Sequence, residues 1–415
     1  MTSNPDALPA VVVGAGWAGL GVSNALKRAD VCHRVLERRR IGDTWRTQRW
    51  DSFRMNTPNS RSVMPGDTYN GSDPEGFLTR DEFVAVLEDF AERNCLPLRL
   101  NTPVTELARN GDSTYRLTTP RGTWRARNVV IASGSLNRPV RPPCAATVQP
   151  GLLQIDASDY RSATALPPGS ILVVGNGQSG GQIAEDLVEA GRRVFLATGH
   201  IGRLPRRYRG QDITTWLLQC GFMDQPRKDF IEASGRIPPR PLLGAVHTIS
   251  LQSLSARGAV LLGRFTGATD GRYLAFADDL DEHIRFGNQT SADIKREIDD
   301  YICRARIIAP AAEPDPAETI EPCLPEMAIR KLDAFACGIT TVVWCTGFEG
   351  DFSWIRVSGV LDPWGRPVQE EGVSPLPGIY FAGLDFASTR KSGTILAIAE
   401  EAARLVRHVV DGTRL

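Results

Sequence analysis

An α/β fold containing two parallel-sheet units is what this sequence predicts, on three observations. AVVVGAGWAGLGVSNAL begins at Ala10 and SILVVGNGQSGGQIAEDL at Ser170; each is a short apolar run, a GxGxxG turn and a tail with helical spacing. Between them, LRLNTPVTELARNGDSTYRLTTPRGTWRARNVVIASG alternates apolar and polar residues around NGD and PRG turns, the pattern of a β-meander returning to a buried strand. Two Rossmann-like dinucleotide-binding units with an inserted meander give a three-layer ββα/βαβ architecture.

Each element has its own local reason. AVVVG is an apolar run ending in glycine, which suits a fully buried parallel strand. WAGLGVSNALKRA continues with helical spacing, and CHRVLE supplies a second strand ending at Glu37. From Gly42 to Asp81 the chain is rich in Pro, Gly, Asn and Ser, with Trp45, Trp50, Phe53, Met55, Tyr69 and Phe77 interspersed. An irregular segment of that length is uncommon unless it binds something. Thr79 and Glu82 then have capping-box spacing and open a helix to about Asn94. NRPVRPP and LPPG, at 137–143 and 166–169, read as the punctuation of a domain crossing. ITTVVWCTG from Ile339 and GIYFAGL from Gly378 are further buried strands, and SGTILAIAEEAARLVRHVV is a closing helix with Ser392 or Thr394 near its N-terminus.

The glycines imply chemistry. In the first unit Gly14 permits a tight turn, Gly16 lets backbone approach a pyrophosphate, and Gly19 lets helix and strand pack closely. The helix N-terminus adds free N–H groups and the positive end of its dipole. Glu37, at the end of the next strand, accepts ribose hydroxyls, so an unphosphorylated adenosine ribose, as in FAD or NAD, belongs here. In the second unit Gly175, Gly177 and Gly180 repeat the frame, with Gln178 and Ser179 at the helix start. Its second strand, RRVFLAT, ends at Thr198 without an acid, and GHIGRLPRRYRG places Arg203, Arg206, Arg207 and Arg209 near a ribose 2′ substituent. A guanidinium fork binds a 2′-phosphate, which favours NADPH over NADH; the competing reading is a solvated basic loop in an arginine-rich chain. Two sites of different ribose chemistry suggest electron relay from NADPH to FAD.

Composition narrows the rest. The 48 basic and 48 acidic residues cancel, which argues against nucleic acid or an anionic membrane as partner. The eight cysteines form no CxxC pair and have no metal-ligand spacing, as expected of a reduced cytoplasmic protein. No secretory signal opens the chain, and no run of about 18 apolar residues would span a membrane. His33, His200, His247, His283 and His408 make no metal or triad cluster, so no metal is expected. A homodimer is compatible with such a chain.

GAGWAGL, GDTWR, WDSFRMNTPNS, VVIASGSLNRP, VVGNGQSGGQIAEDL, GRLPRRYRGQDI, GAVLLGRF, VVWCTGFEGD and GIYFAGLDFASTRKSG, in that order, resemble the flavin-containing monooxygenase superfamily, and within it a branch of short bacterial flavoproteins. The resemblance implies a discontinuous FAD-binding domain, 1–165 and 336–415, with an NADPH-binding domain inserted at 166–335. It implies an NADPH- and O2-dependent monooxygenase that forms a C4a-hydroperoxyflavin and oxygenates a small organic substrate. A nitrogen or sulfur atom is the favoured target, with Baeyer–Villiger oxidation of a ketone as the alternative. By motif match Trp45 packs along the FAD, Val104 meets the adenine through its backbone, and Gly383 through Thr394 approach the isoalloxazine. Asn56 matches an asparagine beside the flavin and the nicotinamide, and its own residue-level alternative is an Asx-type turn before Pro58. One departure stands out: Asp156 and Ala157 replace an expected His and Ser, while Tyr160 fits. Rival readings are a pyridine-nucleotide disulfide reductase, which needs a dithiol that the sequence lacks, a reductase or oxidase that does not oxygenate, and a redox-sensing binding protein.

Overall fold

The structure is a computed structural model and describes residues 7–231 and 237–413. Strand β1 (Leu8–Val13), helix α1 (Trp17–Arg28) and strand β2 (His33–Leu36) form the first glycine-turn unit. β1 lies between β2 and the Gly122–Ile131 strand, all parallel, with Leu98–Arg99 outside β2. Within this one sheet the Gly122–Ile131 strand takes two partners in succession along its other edge. Its first half pairs antiparallel with Tyr115–Thr119, while Val129–Ile131 pairs parallel with Ile379–Phe381 near the C-terminus. The meander therefore peels away and covers one sheet face, where Val11, Val13, Leu107, Leu117, Ile131 and Phe381 pack together. The opposite face carries α1 and the Ile398–Thr413 helix through Val12, Leu20, Leu26, Leu405 and Val409. This is the expected three-layer arrangement.

The second unit repeats it with β3 (Ser170–Val174), α2 (Gln178–Glu189) and β4 (Val194–Ala197). Its sheet is wholly parallel, in the order Val260–Leu262, β4, β3, Ile339–Trp344, Leu153–Asp156. Two of these strands lie outside the 166–335 segment. Proline punctuation marks where the chain turns; sheet membership follows from which apolar strand completes the hydrogen bonding of β3 on its free side.

The capping box forms as expected: Thr79 accepts from the Glu82 N–H, Glu82 accepts from the Thr79 N–H, and the helix runs from Arg80 to Arg93. The closing helix differs. It begins at Ile398, not at Ser392 or Thr394. Gly393 has φ +79°, and a Cβ there would lie 2.5 Å from the Asp385 Cα, so residues 391–397 make turns. Ser392 Oγ accepts the Ser388 and Thr389 N–H groups at 3.2 Å each and so caps the loop before it, not the helix after it.

Buried His33 braces β2 against α1. Its Nδ1 faces the Val31 carbonyl at 2.8 Å and so carries the hydrogen, leaving Nε2 to accept from the Ser23 hydroxyl at 2.8 Å. Burial holds its pKa below the ordinary value. The unfolded chain takes up this proton at about pH 6.5 and the folded chain only lower, so stability falls as pH drops from about 6.5. Urea unfolding between pH 7.5 and 5.5 is expected to show a steeper loss for the wild type than for His33→Gln; parallel curves would refute this.

Candidate dinucleotide sites

The two glycine turns are built on the same contacts. Gly14 has φ +109°, and a Cβ there would sit 2.4 Å from the Ala132 carbonyl oxygen; Gly175 has φ +102° and the same relation to Cys345 at 2.5 Å. A Cβ on Gly19 would lie 1.9 Å from the Gly14 oxygen, and on Gly180 1.8 Å from the Gly175 oxygen. The first and third glycines are thus demanded by the protein's own backbone. Gly16 and Gly177 are not: nothing lies within 4 Å of a Cβ at either. These middle positions leave an approach for something outside the protein, at the N-termini of α1 and α2.

A cavity of about 620 Å³ opens over the first turn. It brings together Gly14, Gly16, Glu37, Trp45, Val104, Gly383 and Thr394, drawn from both ends of the chain. Gly19 is absent from the wall because it packs behind Gly14. Glu37 Oε2 accepts the Ala15 N–H at 2.7 Å and Oε1 the Arg39 N–H at 2.9 Å, while burial raises its pKa. The carboxylate is therefore fixed in orientation at the end of β2, where a ribose would meet it.

Four wall residues went unnoticed in the sequence. Trp17 Nε1, Ser133 Oγ and Glu401 Oε1 are buried without a hydrogen-bond partner. Arg49 is half-buried in the cavity wall, stacks 4.8 Å from the Trp45 ring centroid, and donates to the Gln48 carbonyl at 2.8 Å. Burial pulls its pKa down to about 10, so it stays charged at neutral pH. No carboxylate pairs with it among the described residues. A lone cation, orphaned polar atoms and a helix N-terminus fit a phosphate-bearing dinucleotide such as FAD.

Around the second turn the expected arginine fork is not assembled. Each of the four arginines already has an acidic partner: Arg203 with Glu318 at 3.0 Å, Arg206 with Asp212 at 2.5 Å, Arg207 with Glu75 at 2.5 Å and Arg209 with Asp299 at 2.7 Å. Arg203 also reaches Asn288 and Gln252 at 2.9 and 3.3 Å. Arg206, only 2 % exposed, donates to the carbonyls of Asn56, Gly244 and Ala245. Both are buried struts. Arg207 is exposed and held by one surface pair, which costs little to exchange for a phosphate.

The irregular segment after Gly42 bridges the two units. Ser52 Oγ and Tyr160 Oη both donate to Asp186 of α2 at 2.5 Å. Asn56 does not line the first cavity; its amide bonds to Gln178 and Gln182 of α2, at 2.8 and 2.9 Å, instead of forming an Asx turn. Gln178 is thereby committed, its Nε2 donating to the Pro241 carbonyl at 2.6 Å, while Ser179 beside it is half-buried. Asp156 forms a two-bond pair with Arg141, at 2.6 and 3.0 Å, so the residue standing in for the expected histidine ties the crossing loop to the edge of the second sheet.

All eight cysteines are free, and none lines the cavity. Among the described residues there is no group of metal-ligating side chains, and no helix is long and apolar enough to cross a membrane.

Residues 11–217 match the family model described as pyridine nucleotide-disulphide oxidoreductase, which spans both glycine turns. An uncharacterized CzcO-like oxidoreductase of Geobacillus kaustophilus is 29 % identical over 403 residues, covering 97 % of this chain and 98 % of that protein. The rice indole-3-pyruvate monooxygenase YUCCA4 is 27 % identical over 237 residues, 52 % of this chain and 53 % of its own. The fold is that of a flavin-containing monooxygenase from Stenotrophomonas maltophilia, with TM-score 0.67 and 18 % identity over 98 % of this chain and 99 % of that one. With two dinucleotide turns built on the same contacts and a cavity over the first, the chain is an oxidoreductase that resembles the FAD- and NAD(P)-dependent flavin-containing monooxygenases in fold and in part of its sequence.

Proposed function

We propose that FAD occupies the first cavity, that NADPH binds over Gly177 with its 2′-phosphate recruiting Arg207, and that the protein uses O2 to oxygenate a small organic molecule at nitrogen or sulfur. The domains follow as 1–165 with 336–415 for FAD and 166–335 for NADPH, the latter widened by its two outlying strands. One observation carries the choice of reaction. Reducing equivalents delivered to the cavity meet no cysteine there, so thiol–disulfide exchange lacks its partner and the oxidant comes from solution. The half-buried Cys345 does not change this, because desolvation pushes its thiol pKa well up and keeps it protonated. FAD, when bound, supplies the redox chemistry with O2; the chain supplies orientation, water exclusion and hydrogen bonds. Asn56, an amide able to donate and accept at once, is the residue proposed to act at the reacting centre. The unpaired thiols suit a reducing, cytoplasmic setting.

The test is anaerobic addition of NADPH to the FAD-loaded protein, followed by O2 and a panel of amines, sulfides and ketones. Bleaching of the flavin, then NADPH consumption stimulated by an amine or sulfide with one oxygen atom found in the product, is the expected result. Stimulation by ketones alone would indicate Baeyer–Villiger oxidation, stoichiometric hydrogen peroxide with every compound an oxidase, and no bleaching a binding protein. Asn56→Ala is expected to raise the hydrogen peroxide released per NADPH; an unchanged ratio would remove Asn56 from the mechanism.

A further inference from the structure

Asn56 belongs to the first unit by sequence but is held by the second. Its Nδ2 donates to Gln178 Oε1 at 2.8 Å, and its Oδ1 accepts from Gln182 Nε2 at 2.9 Å. The two glutamines are four residues apart on α2 and therefore share one face. An amide has nearly the same shape either way round, so its direction must be dictated by neighbours that cannot exchange roles. Two main-chain carbonyls do this. Gln178 Nε2 donates to Pro241 at 2.6 Å, which turns its oxygen toward Asn56. Gln182 Nε2 donates to Leu243 at 3.4 Å as well as to Asn56, which uses both of its hydrogens. Reversing Asn56 would set NH2 against NH2 and oxygen against oxygen, breaking two bonds and creating two repulsions. The Asn56 carbonyl is fixed as well, at 3.0 Å from Arg206, itself locked to Asp212.

We infer that Gln178 and Gln182 are positioning residues that set the direction of the Asn56 amide, so that the nucleotide-binding helix of the second unit orients the group which the first unit brings to the reaction. The inference rests on the proposed role of Asn56. It gives α2 a second task beside the phosphates: NADPH bound at its N-terminus and the amide at its first turns ride on one rigid element, so their relative placement is constant.

Gln182→Glu is the sharpest probe, because a carboxylate can only accept and faces the Asn56 oxygen. In the FAD-loaded protein it is expected to raise hydrogen peroxide per NADPH by roughly threefold or more, the lower range for coupled polar neighbours. It should also change the shift of the visible flavin band on addition of NADP+, at unaltered flavin content. In an Asn56→Ala background the same substitution should add nothing to either readout. Additive effects, or a Gln182→Glu protein that behaves as wild type while Asn56→Ala is uncoupled, would overturn the inference alone. An Asn56→Ala protein with wild-type coupling and spectrum would overturn both it and the reading beneath it. Should Gln182→Glu fail to fold, Gln182→Met, of similar length and without an amide, is held to the same outcomes.

Discussion

Gly16→Val is expected to strip the protein of FAD without unfolding it. Gly16 has φ −86° and ψ −172°, extended backbone that valine adopts readily, and its Cβ would touch nothing in the protein. The added side chain instead fills the space through which a pyrophosphate reaches the N–H groups at the start of α1. A loss of about 100-fold in FAD affinity, near 3 kcal/mol, is the expected scale when that contact is blocked. Gly177→Val should do the same to NADP+ while FAD stays bound, since the two turns are built alike but apart. Gly14→Val is the contrasting control: with φ +109° and the Ala132 oxygen 2.4 Å away, it should reduce folded yield irrespective of ligand. Flavin absorbance after gel filtration, NADP+ titration and circular dichroism read the three variants. Full FAD content in Gly16→Val would disprove the cofactor's placement.

Arg206→Leu is expected to cause the largest loss of stability from any one side chain near the second site. Arg206 and Asp212 are 2 % and 4 % exposed, and their pair is 2.5 Å long. Burial lowers the arginine's pKa from its ordinary value while Asp212 opposes that, and the group remains charged. Removing it leaves a carboxylate buried against only the Thr214 N–H and strands the carbonyls of Asn56, Gly244 and Ala245. Breaking one side of such a pair costs about 3–5 kcal/mol. Arg206→Leu with Asp212→Asn should recover part of it, because the uncompensated charge goes. Equilibrium urea unfolding decides the matter: a change within about 0.5 kcal/mol, the range of ordinary surface substitutions, would refute the strut.

These two sites show how differently legible a residue can be. Gly14, Gly16 and Gly19 could be read because a strand, a turn and a helix of fixed spacing constrain them within six positions. Glu37 and the Thr79–Glu82 box were accessible for the same reason. The arginine loop is less legible because a guanidinium's task depends on which carboxylate reaches it, and Glu75 lies 132 residues from Arg207 while Glu318 lies 115 from Arg203. Arg49 escaped notice for the converse reason: nothing local shows that it has no acidic partner.

The sequence by itself determined the two nucleotide turns, the meander, the capped helix and the absence of a CxxC dithiol, all of them matters of near-neighbour geometry. Only the tertiary structure decided that Ile339–Trp344 and Leu153–Asp156 join the second sheet, that the closing helix starts after the Gly393 turn, and that Asn56 answers to α2 across 122 residues. The division is physical. A backbone conformation is fixed by sterics within a few residues, whereas a polar side chain takes the partner that burial leaves it, and that partner is known only once the chain has closed.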